Sequence, residues 1–149
     1  MGRLPKKGVD YFPHDTNASD KVTLFTLEFK YGNNGYAFWF KLLEFIGGKE
    51  NLSLDTRNKI DWMYFVAKTK LSEDVAKEIL DSLAELGAID ANLWTEGIVW
   101  SDNFVERLSD VYKKRGTKIP QKPIFCCGKL FTPGLSEEEK APTAAKPAR

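Results

Sequence analysis

Residues 72–90 read SEDVAKEILDSLAELGAID, and the reading of this stretch decides the fold. Val75, Ile79, Leu83 and Leu86 recur at helical spacing on one stripe. Ser72 is a good N-cap, and Gly87 is placed to close the helix at its C-terminus. Beyond the glycine, Ala88-Ile89-Asp90 begins a strand. A helix in this position lies in the major groove in many DNA-binding domains. This one, however, carries Glu73, Asp74, Glu78, Asp81 and Glu85 against a single Lys77.

Upstream, Lys68-Thr69-Lys70-Leu71 forms a tight connection from another helix. That helix holds Ile60, Met63, Tyr64 and Ala67, with Trp62 and Phe65 broadening its apolar face and Asp55 or Thr56 as its cap. NLSLD before it reads as one small strand. Residues 35–48 contain Tyr36, Phe38, Trp39, Phe40, Leu42, Leu43, Phe45 and Ile46. A helix apolar almost all round is buried on most sides or shared with another chain. Residues 20–32 admit two readings. Leu27, Phe29 and Tyr31 alternate like a strand, whereas Val22, Phe25 and Phe29 fit a helix capped by Ser19 or Asp20.

Downstream, Ala88-Ile89-Asp90 and Gly97-Ile98-Val99-Trp100 bracket ANLWTE, the pattern of a β-hairpin or wing. Ser101 caps a last helix with Phe104, Val105, Leu108, Val111 and Tyr112 at helical spacing. Its final turn carries Lys113, Lys114 and Arg115, where the helix dipole favours cations. From Gly116 onward, five prolines interrupt a polar chain without periodicity, which reads as linker and disorder. The expected organisation is an N-terminal arm over 1–15, a domain over 16–115 and a low-complexity tail over 116–149. The expected fold is mainly α with a small β-hairpin, in the order of a winged helix-turn-helix.

The chain has 149 residues, 42% of them hydrophobic and 13% aromatic, enough for one packed domain plus a tail. No apolar cluster approaches the roughly 18 residues of a membrane span, and no apolar h-region follows the basic start. A cytoplasmic protein without membrane contact is expected. Cys126 and Cys127 are adjacent and His14 is the sole histidine, so no metal site and no cofactor are expected. The acids form no spaced catalytic pair, phosphate loop or Ser-His-Asp set, so no enzymatic activity is expected.

The net charge of +1 conceals an asymmetry. Residues 11–106 hold nine basic and sixteen acidic side chains, 9 − 16 = −7; residues 107–129 hold seven and one, 7 − 1 = +6. Basic ends around an acidic body suit contact with a polyanion through the ends, and equally suit ends that only keep the chain soluble. Candidate DNA contacts are Arg3, Lys6 and Lys7 in the arm, Arg57 and Lys59 at a helix start, Lys68 and Lys70 in the turn, and Lys113, Lys114 and Arg115. Glu73, Asp74, Glu78 and Asp81 are candidates for binding a protein partner, because carboxylates beside phosphates are repelled. Tyr11 and Phe12 could stack on bases or pin the arm to the body. Trp94 could serve as a wedge or pack back on the domain.

The segments RLPKKGVDYFPHD, GYAFWFKLLEFI, EILDSLAELGAID and GIVWSDNFVERLSDVYKKR, in that order over residues 3–115, resemble a known family. It is the N-terminal domain of phage replisome-organiser and DnaD-like replication proteins, a domain of unknown function. The resemblance implies a winged-helix module linked to initiation of DNA replication, with DNA or replication proteins as partners. Longer relatives carry a second region where this chain has its low-complexity tail. The alternative is a protein-interaction winged helix whose acidic helix docks a partner or another copy. A homodimer through the apolar helix at 35–48 is compatible with either.

Overall fold

The computed structural model describes residues 8–126 and 129–131. A 3-10 turn at Ala18–Asp20 leads into α1 (Val22–Tyr31), and Gly32 alone joins α1 to α2 (Asn33–Gly47). Gly32 has φ 67°, a left-handed backbone that glycine adopts without steric cost. There follow β1 (Leu54–Asp55), α3 (Lys59–Thr69), α4 (Glu73–Glu85), α5 (Ala91–Thr95), β2 (Ile98–Val99), α6 (Asp102–Arg107) and α7 (Ser109–Arg115). The protein is mainly helical, and β1 pairs antiparallel with β2, Leu54 opposite Val99 and Asp55 opposite Ile98.

The core is built around α2. Phe38, Leu42, Leu43 and Ile46 are buried against Leu27 of α1, Phe65 of α3 and Leu108 beyond α6. Gly35 permits the close approach of α1: a Cβ there would lie 2.5 Å from the Leu27 carbonyl oxygen. Tyr36, Trp39, Phe40 and Phe45, the remaining aromatics of α2, are half-buried by neighbouring segments. The chain itself therefore covers much of the helix that the sequence marks for sharing.

α4 matches its sequence pattern. Ser72 Oγ accepts from the Val75 amide at 3.3 Å, Ile79 and Leu83 are buried, and Gly87 has φ 78° just after the helix. Other expectations are corrected. Residues 20–32 are helical, but Leu24 and Leu27 face inward while Val22, Phe25 and Phe29 are exposed. In α3, Trp62, Phe65 and Thr69 are buried, and Ile60, Met63 and Tyr64 point outward. Both sets have helical spacing, so periodicity alone does not choose between them. The inner set wins through its aromatic contacts. Phe65 packs edge-on against Phe38 at 5.3 Å and Phe45 at 5.6 Å.

The cap of α3 is Asn58, whose Oδ1 accepts from the Ile60 and Asp61 amides at 3.1 and 3.2 Å. Asp55 is occupied by Arg57, and the Thr56 hydroxyl donates to the Gly97 carbonyl at 2.8 Å. The predicted wing is also different. Asp90 accepts from the Leu93 amide at 2.8 Å and thereby caps the short helix α5 in place of a loop. Residues 88–90 form no assigned strand; the Asp90 amide alone bonds across, to the Trp100 carbonyl at 2.8 Å.

The region expected to be structureless after Gly116 begins by packing on the body. Ile119 lies against the core, Pro123 is buried, and Lys122 Nζ reaches Asp90 at 2.6 Å and Asp102 at 3.0 Å. A small hairpin follows, β3 (Ile124–Cys126) with β4 (Lys129–Phe131). Cys126 is in β3, whereas Cys127 lies outside the described residues.

Candidate interaction surfaces

The acidic residues of α4 are partly accounted for by neighbouring indoles. Trp62 Nε1 donates to Glu73 Oε2 at 2.6 Å, and Trp94 Nε1 donates to Asp81 Oδ1 at 2.7 Å. An indole N–H that is buried, as in Trp62, or half-buried, as in Trp94, needs an acceptor, and a carboxylate makes the stronger bond. Glu73 thus ties α4 to α3, and Asp81 ties α5 to α4; Trp94 packs back onto the domain. Asp74 and Glu78 are exposed. Burial pushes the Tyr31 hydroxyl pKa up, and nearby Glu78 adds to that despite the Ser82 hydrogen bond. Of the four candidate partner-binding acids, two are already structural.

The candidate cations also divide. Arg57 grips Asp55 through Nε at 2.9 Å and through its second nitrogen at 3.0 Å, and this pair raises the guanidinium pKa. Partial burial pushes the Asp55 carboxyl up, but the side-chain and backbone bonds from Arg57 outweigh it and the pKa falls. Arg115 donates to the Gly8 carbonyl and lies 5.3 Å over the Tyr112 ring, so it fastens the N-terminal segment. Lys113 and Lys114 are exposed on α7. Lys59, Lys68 and Lys70 are exposed around α3, and Lys68 Nζ sits 5.7 Å from the Tyr64 ring centre. Arg3, Lys6 and Lys7 lie outside the described residues.

Two apolar stripes that the sequence assigns to the interior lie open. On α3, Ile60, Met63 and Tyr64 are 80%, 68% and 56% exposed. Beside them is a groove of about 300 Å³ between α2 and α3, lined by Lys41, Glu44, Phe45, Tyr64, Phe65 and Lys68. On α1, Val22, Phe25 and Phe29 are 73%, 61% and 83% exposed. Contiguous apolar patches of this kind mark interaction sites more often than scattered hydrophobes do. One available signal in the sequence was the rim: Lys59, Asp61 and Lys68 bracket the outer α3 stripe.

The N-terminal segment closes over another cleft. Phe12 packs edge-on against Phe104 at 5.3 Å, while Tyr11 is exposed. Phe12 thereby pins the segment. His14 stacks on Phe40 at 4.1 Å, with Nε2 3.0 Å from the Tyr36 hydroxyl. Asp15 meets Arg107 at 2.7 Å and Lys21 at 3.5 Å, and the Arg107 hydrogen bond in particular holds its carboxyl below the ordinary range. The cleft beneath, about 210 Å³, has Leu24, Trp39, Phe40, Leu43 and Phe104 among its walls. Among the described residues, no group of three or more His, Cys, Asp or Glu side chains is placed to hold a metal. No helix among them is long and apolar enough to cross a membrane.

Fold and surfaces together define a mainly helical domain with a minimal antiparallel sheet and two open apolar helix faces. The chain belongs to the Lin1244/Lin1753-like N-terminal family, which it matches over residues 11–104. Neither a curated protein nor a solved structure matches it.

Proposed function

We propose that this domain is a non-enzymatic docking module of winged-helix type that binds a protein partner on the outer face of α3. The order β1, α3, tight turn, α4, β2 supports the winged-helix reading, with α5 occupying the place of the wing. One observation carries the docking reading: Ile60, Met63 and Tyr64 form an open apolar stripe rimmed by Lys59, Lys68 and Lys70, with Asp61 at its edge already paired to Lys49. Apolar anchors inside a cationic rim complement an acidic amphipathic helix, which would seat its apolar residues along the stripe. The partner-facing surface is then α3, with α4 held behind it by the Trp62–Glu73 bond. The resemblance to replisome organisers makes a replication complex the first setting in which to seek the partner.

A second reading is favoured by Lys68 and Lys70 at the α3–α4 turn, where phosphate contacts are made in helix-turn-helix proteins, and by Lys59 at the start of α3. It is nonspecific DNA binding. Fluorescence titration with a Leu/Glu-patterned helical peptide and with a DNA duplex separates the two. The expected result is saturable peptide binding that weakens at least tenfold in Met63→Asp. If the peptide fails to bind while the duplex binds with a salt slope that falls on replacing Lys59, Lys68 and Lys70, the docking reading is wrong.

A further inference from the structure

The α1 stripe has a different rim. Val22 and Phe29 lie at its ends and Phe25 in the middle, all exposed on one face. Lys21, the N-cap, and Glu28 are seven residues apart, two helical turns, and so line the same edge of the stripe. Lys30 projects from the other edge. Glu28 makes no ion pair among the described residues, and Lys21 is 3.5 Å from Asp15 yet 56% exposed.

We infer that this stripe docks against the same stripe of a second copy, antiparallel, about a two-fold axis passing near Phe25. In that arrangement Val22 packs on Phe29 of the second copy and Phe25 packs on Phe25 of the second copy. In an antiparallel pair of helices each edge meets its own counterpart, so Lys21 faces Glu28 of the second copy, and the symmetry makes that contact twice. Opposite charges exchanged across a two-fold axis fix both orientation and register. Phe25 serves as the centre of an interface that is apolar inside and charged at its edge, the usual anatomy of such surfaces.

The α3 face offers no equally free pair. Asp61 and Lys68 share one of its edges, also seven residues apart, but Asp61 is already held by Lys49 at 3.0 Å and its side chain is only 31% exposed. Lys59 stands on the other edge of that helix with no acid beside it. Of the two faces, α1 therefore carries the more self-complementary edge. Two side chains of phenylalanine and one of valine leave on the order of 400 Å² of apolar surface open on each copy. The total is below the roughly 1,200 Å² of a stable interface, so the dimer forms weakly and depends on concentration.

Sedimentation velocity of the full chain, from micromolar to near-millimolar concentration, tests this. A concentration-dependent monomer–dimer equilibrium is expected for the native sequence, and monomer throughout for Phe29→Asp. Lys21→Glu and Glu28→Lys should each weaken association severalfold, and the two together should restore it to within about twofold, as swapped charges do. Far-UV circular dichroism verifies that each variant is folded, which the exposure of these side chains favours. In a Cys126→Ser/Cys127→Ser background, Phe25→Cys should form an interchain disulfide across the axis under mild oxidation. Monomer at every concentration overturns the inference, as does association that survives Phe29→Asp or that is abolished by Met63→Asp instead. The inference stands apart from the α3 docking reading: absence of peptide binding there leaves every outcome here unchanged.

Discussion

α1 and α3 both turn a run of large apolar side chains outward, and they differ in what surrounds it. The α3 stripe is rimmed mainly by cations, Lys59, Lys68 and Lys70, with Asp61 paired to Lys49 at 3.0 Å, whereas the α1 stripe has Lys21 and Glu28 along one edge. A net cationic rim selects an oppositely charged partner, and a mixed edge is self-complementary. Apolar area of similar extent thus gains different occupants from the charges beside it. The contrast also bears on folding, because each helix has an inner stripe that carries most of the packing and an outer one that carries little beyond the Tyr64–Phe45 ring contact at 6.1 Å.

The largest effect should appear between those two stripes. Phe65→Ala removes a fully buried ring of α3 that touches Phe38 and Phe45. We expect a loss of about 3–5 kcal/mol in urea unfolding. Phe29→Ala, on the outer face of α1, should change stability by less than about 0.5 kcal/mol at low protein concentration. Comparable losses in the two variants would erase the distinction between the faces.

A smaller effect belongs to the acids behind the α3 face. Glu73→Ala leaves the Trp62 indole without its acceptor and should cost roughly 1–2 kcal/mol. Exposed Asp74→Asn should stay within about 0.5 kcal/mol. Equal tolerance of both substitutions would mean that Glu73 is a surface charge like its neighbour.

The smallest concerns Lys122, which bridges Asp90 and Asp102. Burial alone would push the Asp90 carboxyl up, but the bonds from Lys122 and the Leu93 amide bring it below the ordinary 3.8. The contribution of that carboxylate is therefore complete above 3.8 and fades as pH falls through the lower folded value. The Lys122 ammonium, held above 10.5 chiefly by Asp90, contributes below 10.5 and fades as pH rises past its folded value. Because Lys122 is 42% exposed, solvent screening limits Lys122→Met to about 0.5 kcal/mol at neutral pH. Thermal melts should show that difference vanishing in strong acid, and persistence there would assign it to packing.

Much of the architecture was legible because some segments offer a single solution. α4 has one apolar stripe and charges elsewhere, a serine before it and a glycine after it, and each took its expected place. α3 offers two interleaved stripes, 60/63/64/67 and 62/65/66/69, and local sequence does not say which one meets Phe38 across the core. Asp90 presents a similar ambiguity: it ends a strand-like run and also caps a helix, and capping of α5 prevailed. The candidate cations were legible as charges but not as pairs, since Arg115 reaches Gly8 across 107 residues of sequence. The open stripes were hidden by the general rule that apolar periodicity means core.

The account rests on α3 facing outward, and urea unfolding of a triple variant, Ile60→Ser with Met63→Ser and Tyr64→Ser, tests that most directly. All three changes fall on exposed positions of one helix face. The predicted result is a native-like spectrum, an unchanged urea slope and stability within about 1 kcal/mol of the native sequence, together with loss of peptide binding. A loss well above 3 kcal/mol would place these side chains in the core and contradict the account.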